Sequence, residues 1–109
     1  MQYTEINVDQ GADFSEILTL TDDQTGGILN ITGYMVFSNV RTSYISPNVA
    51  FPLVCTINDA PNGNVSISLS AANTALYDAR RYVFDVKVVT PSNTRSTLIG
   101  GILEIFPST

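Results

Sequence analysis

Two stretches of this chain alternate large apolar and small or polar residues so regularly that an extended backbone is the only one that suits them. Val65-Ser66-Ile67-Ser68-Leu69 is one; the other places Tyr82, Phe84, Val86 and Val88 on one side of Asp85 and Lys87. A side-chain period of two gathers each set on one face of a strand. The same reading extends to 2–8, 14–22, 34–42, 53–59 and 96–106, and in 14–22 it sets Phe14, Leu18 and Leu20 opposite Ile17, Thr19 and Thr21. Residues 28–34 form a short apolar approach to a corner at Gly33. Gly11-Ala12-Asp13, Asp22 to Gly27, Asn62-Gly63 and Pro91 to Arg95 separate the runs with turn-forming residues. Seven or eight short strands with turns every 8–12 residues predict an all-β sandwich.

One stretch breaks the pattern. "SAANTALYDARRYVFDV", residues 70–86, opens with small helix-forming residues before its strand begins. Ser70 is a good N-cap, and 71–78 reads as a short helical turn that is too brief to stand alone. Its expected role is topological. It carries the chain from the sheet that ends at Leu69 to the one that begins at Tyr82, with Leu76 and Tyr77 plugging the open end. Among the turns, Gly33 is expected to need positive φ, and Asn62-Gly63 to place both residues there. Gly100-Gly101 reads as a bulge in the last strand. Pro52 confines its run to a strand start or an edge.

The 109 residues are expected to form one complete domain, 1–109. Five basic residues against ten acidic ones leave a net charge of -5. That balance argues against a binder of nucleic-acid phosphates or of anionic membranes. Charged residues are only 14% of the chain, and Ser, Thr and Asn supply the polarity, a surface that costs little to desolvate against other protein. The start, "MQYTEINVDQ", does not read as a secretory leader, and no apolar run approaches a bilayer span. The triplets at Asn30 and Asn64 that resemble glycosylation acceptors are accordingly read as chance.

Catalytic chemistry finds little to use. There is no His, which removes the commonest general base and most zinc sites. Cys55, the single cysteine, lies in "PLVCTI" and reads as a small buried hydrophobe. Asp22-Asp23 reads as a turn rather than a calcium loop, and Asp9, Asp13 and Glu16 as a solvated acidic rim. Asp85 and Lys87 read as a surface ion pair of ~0–1 kcal/mol. The expectation is therefore no enzyme, with no catalytic, cofactor-binding or metal residues and no cofactor.

A set of short motifs in conserved order carries a resemblance. Gly11-Ala12-Asp13-Phe14 precedes a strand; Asp22 to Gly27 is an acidic Gly turn; Asn30-Ile31-Thr32-Gly33-Tyr34 opens the next strand. Leu69-Ser70 through Thr74 to Leu76, Arg81-Tyr82-Val83-Phe84-Asp85-Val86, and Leu98 to Pro107 complete the series. In these pieces the chain resembles the small immunoglobulin-like domains of tailed-bacteriophage virions, and is similar to the N-terminal domain of phage baseplate upper proteins. It departs from that pattern at Arg80-Arg81, where a Gly often precedes the Tyr. The resemblance implies an immunoglobulin-like sandwich that is a component of the virion, assembled in the bacterial host cytoplasm, and no catalysis.

The expected role is a capsid decoration or cement protein that binds the shell and neighbouring copies. A baseplate, neck or tail adaptor is the alternative, and a host-surface glycan-binding module the alternative of another class. Other virion proteins, major capsid or tail proteins, are the expected partners, with self-association and with neither nucleic acid nor membrane. Three groups are candidate contact residues. Tyr44, Ile45, Val49 and Phe51 make the middle loop apolar; Arg80 and Arg81 are the one cationic cluster; Ile99, Leu103 and Ile105 lie on a last strand that is apolar on both faces, which is expected of a covered strand. Gly33, Asn62 and Gly63 are the expected structural turn residues.

Overall fold

The structure, a computed structural model, describes residues 2–22, 25–43, 45–46 and 48–107. Seven strands follow in chain order: β1 (Gln2–Asp9), β2 (Phe14–Thr19), β3 (Met35–Arg41), β4 (Phe51–Asp59), β5 (Asn64–Leu69), β6 (Arg81–Val89) and β7 (Arg95–Phe106). One helical turn, α1 (Ala71–Thr74), and one 3-10 turn, Ala60–Asn62, complete the secondary structure. The hydrogen-bonded order is β1-β7-β6-β3-β4-β5-β2. It folds into two layers because β4 serves both: Phe51–Leu53 pair with β3, and Val54–Asp59 pair with β5. The front sheet is β1-β7-β6-β3, the back sheet β4-β5-β2. With the N-terminal strand parallel to the last, this is the layered arrangement of an immunoglobulin-like sandwich.

The alternating patterns set the core. Val65, Ile67 and Leu69 from the back sheet meet Tyr82, Phe84, Val86 and Val88 from the front, and all are buried. Leu18 and Leu20 point in while Ile17 stays 65% exposed, as the period requires. On edge strand β2, the partly buried Glu16 shares the inward parity of Leu18; a charge in that place discourages a foreign strand from pairing there.

Residues 28–34 add no eighth strand. A single bridge joins Thr21 to Ile28, and the segment then runs under the 3-10 turn, where Ile31 N–H donates to the Ala60 carbonyl at 2.9 Å. Gly33 has φ +81, the corner expected of it. The turn at 60–63 differs from expectation. Asn62 closes the 3-10 turn, and Gly63 alone adopts positive φ, +69. The reason is crowding: a Cβ on Gly63 would lie 2.6 Å from the Leu29 carbonyl oxygen and 2.8 Å from that of Leu20.

The bulge in β7 lies at Leu98 and not at Gly100-Gly101. Val86 pairs with Ile99 and Lys87 with Thr97, so Leu98 is the extra residue. Both Leu98 and Ile99 thereby turn into the core. The glycines have another use. Gly101 faces Thr4 of β1 so closely that a Cβ would fall 1.7 Å from the Thr4 carbonyl oxygen.

The helical turn fastens two connections together. The Ser70 side chain caps Asn73 N–H, and Asp13 Oδ1 accepts from Ala71 N–H at 2.7 Å. Thr74, fully buried, accepts from Gly11 N–H at 3.1 Å and donates to the Ala12 carbonyl at 2.8 Å. Gln10 Nε2 donates to the Tyr77 carbonyl at 2.9 Å. The Gly-Ala-Asp motif and the Ser-Ala-Ala-Asn-Thr motif are therefore two halves of one clasp. The plug at this end is aromatic: Phe51 stacks on Tyr77 with ring centres 3.8 Å apart and meets Tyr82 edge-on at 5.2 Å. Leu76, expected in that plug, instead points outward with 79% exposure.

Candidate interaction face

The outer face of the front sheet gathers the chemistry that the rest of the surface lacks. Outward positions of β3 are Met35, Phe37, Asn39 and Arg41; those of β6 are Arg81, Val83, Asp85, Lys87 and Val89. The register sets Phe37 beside Lys87, Asn39 beside Asp85, and Asp85 beside Gly100. Met35, at 58%, and Phe37 are exposed large apolar residues on β3, in the stretch that pairs with β6 alone.

Asp85 is the electrostatic centre of this face. Its Oδ2 lies 3.3 Å from the Arg41 guanidinium and 3.8 Å from Lys87 Nζ. Its side chain is only 20% exposed, and its Oδ1 is buried without a hydrogen-bond partner. The expected Asp85–Lys87 pair is thus the longer of two contacts, and Arg41, across the strand pair, is the closer partner. Below them Ser38 donates to the Asp85 carbonyl at 2.7 Å, which satisfies one of the few buried hydroxyls of the core. Because Gly100 has no side chain, a depression of about 320 Å³ opens between Arg41, Asp85, Lys87 and Thr97. A second, of about 330 Å³, lies between Phe37, Lys87 and Arg95.

The residues expected to make contacts are placed differently from one another. Ile99, Leu103 and Ile105 point into the core with Tyr82 and Val86, so the apolar side of β7 is covered by the protein's own back sheet. Their expected place on a contact surface is corrected. Phe51 is buried in the aromatic stack and is likewise withdrawn from the surface. Ile45, 92% exposed, and Val49 do lie on the surface of the middle loop. Tyr44, Pro47 and Asp23 lie outside the described residues. Arg80 sits over the Tyr82 ring, 5.5 Å from its centre, and Arg81 pairs with Glu104 at 3.3 Å. The two arginines thus act separately, one at the end of the sandwich and one on the front face.

Cys55 is half-buried, and desolvation pushes its thiol up to about 11. The thiolate that a nucleophile requires is therefore scarce at neutral pH. Asp22 turns the 22–27 hairpin: its carbonyl accepts from Gly26 N–H at 2.7 Å and its Oδ1 from Thr25 N–H at 3.3 Å. Among the described residues, no three His, Cys, Asp or Glu side chains converge as a metal site would need.

Sequence reasoning passed over Met35, Phe37 and Arg41. Their signal was parity. In "YMVFSNVRT" the inward set is Val36, Ser38 and Val40, which leaves two large apolar residues and a cation on the wet side. No protein-family model and no curated protein matches the chain.

Proposed function

We propose that the chain is a non-catalytic structural protein of a tailed-phage virion, a decoration or cement protein that joins the shell to neighbouring copies. One observation carries the reading: a front sheet whose outer face mixes exposed Met35 and Phe37 with paired charges and two depressions. Apolar area rimmed by charge is the make-up of a protein contact, because the apolar part gains from dehydration and the rim sets orientation. The motifs on which the resemblance to virion domains rests have structural roles here. Gly11-Ala12-Asp13 and Ser70 to Thr74 are bound to one another, and Gly33 is a positive-φ corner. A neck, baseplate or tail adaptor uses the same face and differs only in its address.

The glycan-binding reading draws on the depression beside Gly100, where Arg41 supplies donors and Asp85 an acceptor. Electron cryo-microscopy of particles from a lysate that produces the chain separates these readings. Many copies on the head are expected. Density confined to the neck or tail makes the chain an adaptor. Absence from the particle overturns the virion reading, and binding of host polysaccharide to the depression then becomes the measurement that decides.

A further inference from the structure

The front face balances its charge, four cations against four carboxylates, and the register sorts the two signs along the strands. Toward the Val89 end of β6 stand Lys87 and Arg95, beside Met35 and Phe37. Asp22 lies behind that end, with Ser96 and Leu98, and not on the face. Midway, Asp85 lies 3.3 Å from Arg41, its closer partner, and 3.8 Å from Lys87. Toward the Arg81 end, Arg81 and Glu104 pair at 3.3 Å, and Glu5 and Asp9 of β1 add two exposed carboxylates. Among the described residues, Arg95, Glu5 and Asp9 make no ion pair. One end is therefore cationic and apolar, and the other anionic. The nine residues of β6 hold them about 26 Å apart, roughly three screening lengths at physiological salt.

A face sorted in this way is complementary to itself once it is turned end for end. A copy stacked with its strands in the same direction sets Arg95 against Arg95 and Asp9 against Asp9. The back face presents Ser, Thr and Asn at its outward positions and offers neither end a matching group of charges. Shape agrees with the turned arrangement. Gly100 lies halfway along β7 between Arg95 and Glu104, and the depression beside it lets two sheets approach there. Asp85 flanks that midpoint without adding net repulsion, since Arg41 and Lys87 of its own chain stand beside it. Phe37 and Arg41 lie equally far from Asn39, the β3 neighbour of Asp85, so the turned copy lays each Arg41 guanidinium over the exposed Phe37 ring of the other.

We propose that two copies of this chain pair front face to front face about a twofold axis that crosses the strands near Gly100, with Arg95 and Lys87 of each copy among Glu5, Asp9 and Glu104 of the other. The same surface serves both copies, so the contact is isologous and closes at a dimer. Four strands at about 4.8 Å spacing and about 26 Å in length present roughly 500 Å², against about 800 Å² per partner in a standard interface. The contact is accordingly weak in isolation, and it firms where a larger assembly raises the local concentration of the chain. The inference rests on the self-association in the proposed function, and is independent of where a particle holds the chain.

Sedimentation velocity of the full chain tests it. The weight-average mass is expected to rise with concentration toward that of a dimer and no further. It is expected to fall as NaCl goes from about 0.1 to about 0.5 M, which shortens the screening length from roughly 10 to roughly 4 Å. Two variants reverse one end each: Arg95→Glu, and Glu5→Lys combined with Asp9→Lys. Each alone opposes like charges twice across the axis, and is expected to associate at least tenfold more weakly than the wild type. An equimolar mixture of the two restores opposite charges at both ends, and is expected to regain a dimer with one copy of each. Where near-ultraviolet dichroism shows that a reversal disturbs the fold, Arg95→Gln, or Glu5→Gln with Asp9→Asn, replaces it and is expected to weaken association by the loss of attraction alone. A wild-type chain that stays monomeric at about 1 mM overturns the proposal. So does growth beyond the dimer, a pair of variants that associate as the wild type does, or a mixture that associates no more tightly than its components. A chain found on particles but monomeric in solution sinks this inference alone; one that dimerises but is absent from particles sinks only the virion reading.

Discussion

The two sheets share a core and differ on their outer faces. On the back sheet, the outward positions of β2, of β5 and of residues 54–58 in β4 hold no charged side chain, and Asp59, paired with Asn64 past the bulge, is the one charge at their end. They are Ser, Thr and Asn with Ile17 and Val54 among them, and they satisfy one another: Thr19 Oγ1 donates to Asn64 Oδ1 at 2.9 Å, and Asn58 Nδ2 donates to Ser66 Oγ. The front face carries eight charged side chains, four of each sign, and leaves Asp85 Oδ1 buried and unpartnered. A face whose polar groups are paired internally has little to offer a partner. One with half-desolvated charges beside exposed Met35 and Phe37 gains by being covered. The low overall charge of the chain is thus an average over two unlike surfaces, and only one of them has the character of a contact.

The largest effect is expected at the seam that holds the front sheet together. Gly101→Val places carbon where the Thr4 carbonyl now lies, so β1 must leave β7 or the strands must separate. A loss above about 3 kcal/mol is expected, with early exchange of the β1 amides in hydrogen-exchange measurements. Unchanged protection of β1 would show that the close approach is not required. Next comes the clasp. Thr74→Val keeps the shape but strands Gly11 N–H and the Ala12 carbonyl in a buried place, at about 1–3 kcal/mol by thermal melting. A cost near zero would mean that water, which can both donate and accept, replaces those bonds.

How much of this was legible in the chain follows the physics of each part. The strands were, because Val65-Ser66-Ile67-Ser68-Leu69 and Tyr82 to Val88 state their period locally, and Ser70 announces a helix start by its own side chain. Gly33 was legible for the same reason: its corner depends on its own φ. The bulge at Leu98 was not, since the extra residue is defined only against β6. A pair of glycines in β7 drew attention to itself when its real cause was the approach of Thr4, nearly a hundred residues away. Asn62-Gly63 misled similarly: a dipeptide that favours a tight hairpin is overruled by Leu20 and Leu29 carbonyls arriving from elsewhere. The contact residues divide along this line. Ile99, Leu103 and Ile105 were judged by their own strand and belong to the core, while the outward parity of Arg41 and Phe37 is local to β3 and their partners, Asp85 and Lys87, became visible only when β3 was laid beside β6.

Smaller effects sharpen the contrast between faces. Arg41→Ala removes the nearer cation from a mostly buried carboxylate that already has one orphan oxygen, at a cost of about 1–2 kcal/mol. Equal stability would mean that Lys87 swings in to replace it. Alkaline pH probes the interior behind each face. Burial raises the Cys55 thiol, under the back sheet, from 9.0 to about 11. Burial first, then the charge of Asp78, raises the Tyr82 hydroxyl at the end of the front sheet, against an opposing effect of Arg80. For a group raised on folding, the unfolded chain releases its proton first, so the stability it contributes is present at lower pH and is lost as pH climbs through the folded value. Melting temperature is expected to decline from about pH 9 toward 11. Cys55→Ala should flatten the earlier part of the decline; if it changes nothing, burial is not what holds that thiol protonated.

The smallest effect is the most informative about function. Thr56 is exposed on the back face, beside Ser66. Thr56→Lys adds a cation to a surface that has none, at a solvated position, so stability should change by no more than about 0.5 kcal/mol. Self-association in the ultracentrifuge should also be unaltered if the contact uses the front face. Low charge can be read the other way, as a surface made cheap to desolvate for a partner. On that reading a lysine at position 56 abolishes the contact while leaving the fold intact. The paired hydroxyls of the back face favour the first outcome: strand propensity accounts for Thr and Ser there without any partner. A folded Thr56→Lys protein that no longer associates would reverse the roles of the two sheets.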